Sequence, residues 1–329
     1  MIRTPFTELI GIDHAVVCAG MGGGYTSGDL VGRVSEAGGL GVIGASFVPP
    51  EEVAAIVGRA REITSKPIGI NLLLHATEER VDEVLAFDPA VFSTAWARDD
   101  QDLATIFARA HDGGAYVMHM VQTVSDAMHA AEAGADVIVA QGTEGGGHVG
   151  LMASTIIVPQ VAKAVAPVPV LAAGGFANGA GLAAALTLGA AGVLLGTRFL
   201  ATDEAPVPAL YKEAILSSDG DDTVLTTLAD SLSGRDWPGA WDRVLRTRFV
   251  AEWLGREPEL RRRRDEIWEK LEQAEEQNDP EYALLWIGQS AGLIDAVAPA
   301  ADVVREIVRD AEEVIRMRLH AVLREEGGS

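Results

Sequence analysis

Cysteine is almost missing from the chain: Cys18 stands alone among 329 residues. No intrachain disulfide and no thiolate metal cluster can form, which fits a reducing compartment, and the expected localisation is cytoplasmic. Positive charge is also short, with 26 Lys and Arg against 48 Asp and Glu, a formal charge of -22. A field of that sign repels phosphate backbones and anionic headgroups, so nucleic acid and membrane surfaces are set aside as partners. It does not bar an anionic cofactor held locally by backbone N–H groups. Long apolar runs are lacking too. Residues 164–197 carry no charge, but Pro167, Pro169 and the glycines at 174, 175, 179, 181, 189 and 192 break them into strand, helix and strand rather than a membrane span. Residues 1–6 do not read as a secretory leader, and residues 324–329 hold no lipidation box.

What is present is a repeat of short β-rich runs with helical segments between them. The runs cover residues 15–19, 41–45, 68–73, 90–94, 116–120, 136–140, 168–172 and 192–195. Between them, residues 50–63, 123–133 and 178–188 show helical apolar spacing or helix-start signals. Eight βα units in about 200 residues predict an α/β fold, a (β/α)₈ TIM barrel spanning 1–201. From 202 to 289 the chain turns charged and tryptophan-containing, and reads as a helical insert over the barrel mouth. A C-terminal segment, 290–329, is expected to end in a helix over about 301–324 that packs on the barrel. Arg261, Arg262, Arg263 and Arg264 read as a solvated helix face paired with Glu257, Glu259, Asp265, Glu266 and Glu269.

Barrel enzymes place their chemistry at the carboxyl ends of the strands and commonly bind phosphate after the seventh and eighth. At the seventh end stand Gly174 and Gly175, leading into a helix; at the eighth stand Gly196, Thr197 and Arg198. Glycine N–H groups, a helix N-terminus and the Thr197 hydroxyl together make a phosphate cup. Gly20, Met21 and Gly22 close the first strand with main chain able to lie against a planar ring. Asn71 ends the third strand and Gln141 the sixth, where an amide can bond the ring edge of a flavin or nucleobase or cap nearby backbone. After Gln141 come Gly145, Gly146, Gly147 and then His148, a titratable ring delivered by flexible backbone. His119, ending the fifth strand, is open between core residue and ligand. His14, His75, His111, His129 and His320 read as surface or packing residues, and Trp237, Trp241, Trp253, Trp268 and Trp286 as packing. No His or Cys spacing supports a metal site, and no Gly-x-Ser-x-Gly elbow supports a serine hydrolase.

The ordered set Gln141-Gly142-x-Glu144-x-Gly146-Gly147-His148-x-Gly150, Ala173-Gly174-Gly175-Phe176-Ala177-Asn178-Gly179 and Gly196-Thr197-Arg198-Phe199-Leu200-Ala201-Thr202-x-Glu204 resembles the nitronate monooxygenase family, FMN-dependent barrels formerly called 2-nitropropane dioxygenases. Gly69-Ile70-Asn71-Leu72-Leu73 and residues 286–293 look like family segments as well. The Glu-x-Gly-Gly-His core is shared with flavin-dependent enoyl-acyl carrier protein reductases and NADH:quinone reductases. The resemblance implies FMN as cofactor, Asn71, Gln141, Gly146, Gly174, Gly175, Gly196 and Thr197 as its contacts, and His148 as the catalytic residue. Gly20, Met21, Gly22 and Gly147 complete the expected cofactor-binding set. Gly145 and Val149 depart from the residues usual in nitronate enzymes.

Two activities follow from that resemblance. In the first, His148 takes an acidic proton from a nitroalkane or steadies a bound nitronate while electrons pass to the flavin and on to O₂. In the second, an NAD(P)H-dependent flavin reductase acts on an enoyl thioester, enone or quinone, and His148 serves its carbonyl. Both take a small molecule as partner, and a homo-oligomer is possible.

Overall fold

The apolar runs between turn signals fold as short parallel strands, each shielded by the helix that follows it. The structure, a computed structural model, describes residues 2–235, 237 and 239–322, apart from the side chains of Glu275, Leu319 and His320. The tail at 324–329, the end of the expected last helix and the His320 side chain therefore lie outside the described residues. Its strands are β1 (Val16–Cys18), β2 (Leu40–Gly44), β3 (Ile68–Leu73), β4 (Val91–Ala95), β5 (Tyr116–Val121), β6 (Val137–Gln141), β7 (Gly147–Val149), β8 (Val170–Ala173), β9 (Gly192–Leu195), β10 (Thr223–Thr226) and β11 (Trp241–Leu245). β1 to β6, β8 and β9 close into a barrel, every neighbouring pair parallel, with β9 returning to β1 through Val17 opposite Leu194. This is the (β/α)₈ barrel the alternation predicts, with strand ends within two residues of the expected ones.

Side chains alternate between two buried layers, as a barrel covered by helices requires. Val17, Leu40, Val42, Val91, Met118, Val137, Val139 and Leu171 fill the interior. Phe6, fully buried, joins them from the short helix Pro5–Ile10. Thr4 begins that helix, accepting from Thr7 N, and its Oγ1 donates to Ala191 O at 2.7 Å. The N-terminal end of the barrel is thus plugged, and the carboxyl end is left for ligands. The outer layer packs Val16, Ile43, Ile70, Phe92, Ile138 and Val193 against helices. Those helices start where side-chain caps are available: Ser27 before Gly28–Glu36, Asp102 before Leu103–Asp112, Thr123 before Val124–Glu132 and Asn178 before Gly179–Thr187. His119 lies in the core, sharing a 2.7 Å hydrogen bond with Thr94 Oγ1 beside the Phe107 ring.

The insert after Leu200 is helical over Ala209–Ser217, Leu228–Ser233, Arg248–Trp253, Glu257–Arg262 and Arg264–Glu276. It has its own core of Leu228, Val244, Phe249, Trp253, Leu260 and Ile267. Arg263 pairs with Glu259 and Glu266, as expected of a solvated face. The insert is not only helical, however: β10 and β11 form an antiparallel ladder that continues onto β7, the segment carrying His148. The glycines before His148 hide β7 in the sequence, because a three-residue strand leaves no period to read. The C-terminal helix Ala300–Glu313 packs against Gly179–Thr187 and Gly28–Glu36. Among the described residues no helix is long and apolar enough to cross a membrane.

Candidate active site

The carboxyl ends of β6, β8 and β9 lie side by side, since Gln141 pairs with Ala173 and Ala173 with Leu194. That register brings Gly142, Gly174, Gly175, Gly196 and Thr197 to one corner of the mouth. Gly174 and Gly175 both have φ +83°, a backbone other residues adopt only with strain. A Cβ on Gly174 would stand 2.4 Å from Gly142 O, and one on Gly175 would stand 3.1 Å from Glu144 Cβ. Thr197 Oγ1 accepts from Gly288 N at 3.0 Å, so its own proton faces elsewhere. Asn178 closes the following helix by accepting from Gly181 N. The expected cation of the cup is not there: the Arg198 guanidinium donates to Ala201 O and Ala296 O. A charged side chain that finds two carbonyls among loops is held as a structural tie.

Around the rest of the mouth the main chain is bare. Among the described residues, and apart from chain neighbours, no heavy atom lies within 4 Å of where a Cβ would sit on Gly22 or Gly147, and at Gly196 only Met21 Sδ does, at 3.7 Å. Gly20 sits under Asn71, whose Nδ2 donates to Ser93 Oγ at 3.1 Å. Gln141 Oε1 accepts from Gln122 Nε2 at 3.1 Å. Gly146 is different from Gly147: a Cβ there would stand 2.6 Å from Gly288 N and 2.8 Å from Ile287 C. Residues 286–289 therefore form a strap between the histidine loop and the cup, reinforced by Gln289 N donating to Glu144 O at 2.9 Å. Glu144 is itself held, accepting from Ser154 N and Ser154 Oγ. A cavity of about 380 Å³ opens beside the mouth, its lining including Trp96, His119, Met120, Gln122, Gly150 and Met152.

His148 is set by the ladder. In β7 it lies directly opposite Asp242 of β11, and opposite residues of an antiparallel pair share a face. His148 Nδ1 is 3.3 Å from Asp242 Oδ1, while Nε2 donates to Asp230 Oδ1 at 3.0 Å from the helix Leu228–Ser233. Asp242 has no exposed surface; Trp286 Nε1 donates to its Oδ1 at 3.1 Å, and Oδ2 has no hydrogen-bond partner among the described residues. Burial raises its pKa to about 6, against the pull of the His148 ring. Trp237 stacks flat on His148, centroids 3.4 Å apart at 9°, with Trp96 edge-on to both. Trp96 holds φ +55°, a strained conformation for a large side chain.

His75 was expected to be a surface or packing residue, yet its ring centroid is 4.2 Å from that of Trp237, behind the stack. Burial, and then the charge of His148, lower its pKa to about 4. Its Nδ1, with Thr143 Oγ1 and Asp242 Oδ2, is a buried polar atom without a partner among the described residues. Trp237 and Trp286 likewise belong to the site rather than to remote packing, whereas Trp253 is core. The sequence reading missed Asp230 and Asp242 altogether. The only local signal was the β-branched run 223–226 with Gly239 before Trp241; residues 241–245, Trp-Asp-Arg-Val-Leu, show no period of two, and Asp230 sits on a short helix between the strands. His148, Asp230 and Asp242 also bring ligand atoms within 4.8 Å of one another. Both imidazole nitrogens are turned onto carboxylates, so the group reads as a hydrogen-bonded set.

Known proteins share the sequence and the fold. The chain is 41% identical over 254 residues to a (3aS,4S,5R,7aS)-5-hydroxy-7a-methyl-1-oxo-octahydro-1H-indene-4-carboxyl-CoA dehydrogenase of Mycobacterium tuberculosis, covering 76% of this chain and 68% of that one. Its fold superposes on FabK of Thermotoga maritima with a TM-score of 0.86 at 32% identity, over 98% of this chain and 100% of that one. A nitroalkane oxidase of Streptomyces ansochromogenes gives 0.82 at 25% identity, over 95% and 99%. The profile of the nitronate monooxygenase family matches residues 3–80 and 75–310. By this match and by its barrel, the chain is an oxidoreductase that belongs to the nitronate monooxygenase family.

Proposed function

We propose that this enzyme is an FMN-dependent oxidoreductase in which His148 moves a proton at a carbon activated by a neighbouring carbonyl, with an acyl thioester or enone as the substrate class and NAD(P)H as electron partner. The observation that carries this reading is the pair of carboxylates on His148. Asp242 on Nδ1 suits the ring to holding a proton, as a carboxylate partner does for a catalytic imidazole, and Nε2 is the nitrogen that would exchange Asp230 for substrate. The two carboxylates suit it less to pairing with an incoming anion, which would meet two negative charges at close range.

The mouth fits a flavin on grounds internal to the chain. Bare main chain at Gly22, Gly147 and Gly196 takes a flat group without collision. Gly174, Gly175, Gly196 and Thr197 would hold its phosphate, with Gly20, Met21, Asn71, Gln141, Gly146 and Gly147 along its body. When bound, the flavin supplies the two-electron chemistry. The protein's part is to orient substrate over that surface, keep water out with Trp96 and Trp237, and hold a proton at His148.

Oxidation of a nitronate with O₂ is the second reading, favoured by the family profile over nearly the whole chain. Anaerobic mixing separates the two. Bleaching of the flavin by NADH or NADPH, followed by reoxidation with an enoyl thioester, supports the first; bleaching by propionate 3-nitronate without nucleotide overturns it for the second. His148→Ala should retain flavin and lose about 10²-fold or more in turnover, the scale of general acid–base catalysis. Full turnover in that variant would remove His148 from both.

A further inference from the structure

β11 carries more than Asp242. Asp242 and Arg243, adjacent on that strand, are the two Asp, Glu, Lys or Arg side chains that are buried among the described residues. Neighbours along a strand point to opposite faces, so Asp242 meets His148 while Arg243 goes to the other side. There its Nε donates to Thr143 O at 2.9 Å and its Nη1 to Thr223 Oγ1 at 3.0 Å, both neutral acceptors. Burial lowers the Arg243 pKa, and the charge of Glu144 opposes that shift. Desolvating a guanidinium is expensive, and the hairpin does not need one, since β10 and β11 already pair from Thr223 opposite Leu245 to Thr226 opposite Asp242. The bond that calls for a reason is the one to Thr143.

Resting on the flavin and His148 roles proposed above, we infer that Arg243 is a positioning residue. By fixing the Thr143 carbonyl it holds the loop 142–147 in the shape that offers bare main chain to the cofactor and His148 to the substrate. Gly142, Gly145, Gly146 and Gly147 leave that loop with wide backbone freedom, so its shape depends on ties from outside. On the barrel side, Gly142 N donates to Ala173 O, Thr143 N donates to Met152 O, and the Glu144 carboxylate accepts from Ser154. From the strap, Gln289 N donates to Glu144 O. From the insert, the tie is Arg243 on Thr143 O. β11 therefore grips the loop with one residue and the imidazole with the residue before it, and the two grips keep loop and ring in one register.

Hydrogen exchange on the full chain carrying Arg243→Gln tests this without turnover. Amides of 142–146 should exchange about tenfold faster than in wild type, the scale of a lost hydrogen bond to a charged group, while those of 223–226 and 241–245 keep their protection. FMN titrated into the same variant should bind about tenfold more weakly, and Arg243→Lys, which keeps a charge but loses the planar fork, should fall between. Thr223→Val, which removes the second acceptor of the guanidinium, should give the same pattern at smaller size, and it carries the test if Arg243→Gln does not fold. Unchanged exchange at 142–146, wild-type FMN affinity, or equal acceleration in 223–226 and 241–245 overturns the inference, the last because Arg243 would then be a tie of the hairpin. Faster loop exchange together with full turnover in His148→Ala leaves Arg243 as the brace of the loop and removes the role of His148. Unchanged loop exchange with an inactive His148→Ala removes Arg243 alone.

Discussion

Asp242 and His119 are both buried, and their titrations act on stability in opposite senses. Burial raises Asp242 from 3.8 to about 6, so between those values the folded chain binds more protons than the unfolded one. Its contribution is complete below the unfolded value and is lost as pH rises through about 6. Burial lowers His119 from 6.5 to about 4, so there the unfolded chain binds more protons and stability is lost as pH falls through that window. Melting temperatures measured from pH 4 to 7 should show this directly. Relative to wild type, Asp242→Asn should gain steadily as pH rises from 4 to 7, and His119→Gln should gain as pH falls from 7 to 4. Parallel curves for either variant would mean that its charge is not the one being counted. The sequence left His119 open between core and ligand; its bond to Thr94 and its place beside Phe107 put it in the core.

At the scale of elements, the strap 286–289 decides what the histidine loop tolerates. Gly146→Ala would drive a methyl into the main chain at Ile287 and Gly288, where nothing flexible can yield. Gly147→Ala meets open space and carries only the strain of φ +73°, about 1 kcal/mol. Gly58→Ala, in open space on the helix Pro50–Ile63, should stabilise by about 1 kcal/mol. Thermal unfolding should therefore rank Gly146→Ala well below Gly147→Ala, and Gly58→Ala above wild type; equal losses at 146 and 147 would show that the strap gives way. The barrel and its phosphate corner were legible because parallel strands buried on both faces read as apolar runs and because glycines follow their ends. The carboxylates on His148 were not, because they come about 80 to 95 positions later, Asp230 from the helix Leu228–Ser233 and Asp242 from β11, which only a long-range pairing, β7 with β11, brings home. Hydrophobic period reports local structure, and this contact is not local.

Over the whole molecule the charge of -22 sets how a substrate arrives. An acyl thioester carried on a phosphorylated handle is polyanionic, and a nitronate carries one charge. Both are repelled at long range, the first more steeply, and salt screens that repulsion over a Debye length of about 10 Å at 0.1 M. kcat/KM should therefore rise between low and physiological ionic strength, by several-fold for a polyanionic thioester and little for a nitronate, with kcat unchanged in both. Stopped-flow flavin reduction or reoxidation at several salt concentrations gives the two slopes. A slope that falls with salt for the thioester would mean that a local positive field at the mouth outweighs the whole. Of the arginines around the mouth, Arg98 is tied to His75 O and Asp100, and Arg243, opposite Gly147, to Thr143 O and Thr223 Oγ1, while Arg235 lies over the Phe47 ring. Arg235→Gln would then flatten the slope if Arg235 steers the handle, and leave it unchanged if the long-range field alone governs arrival.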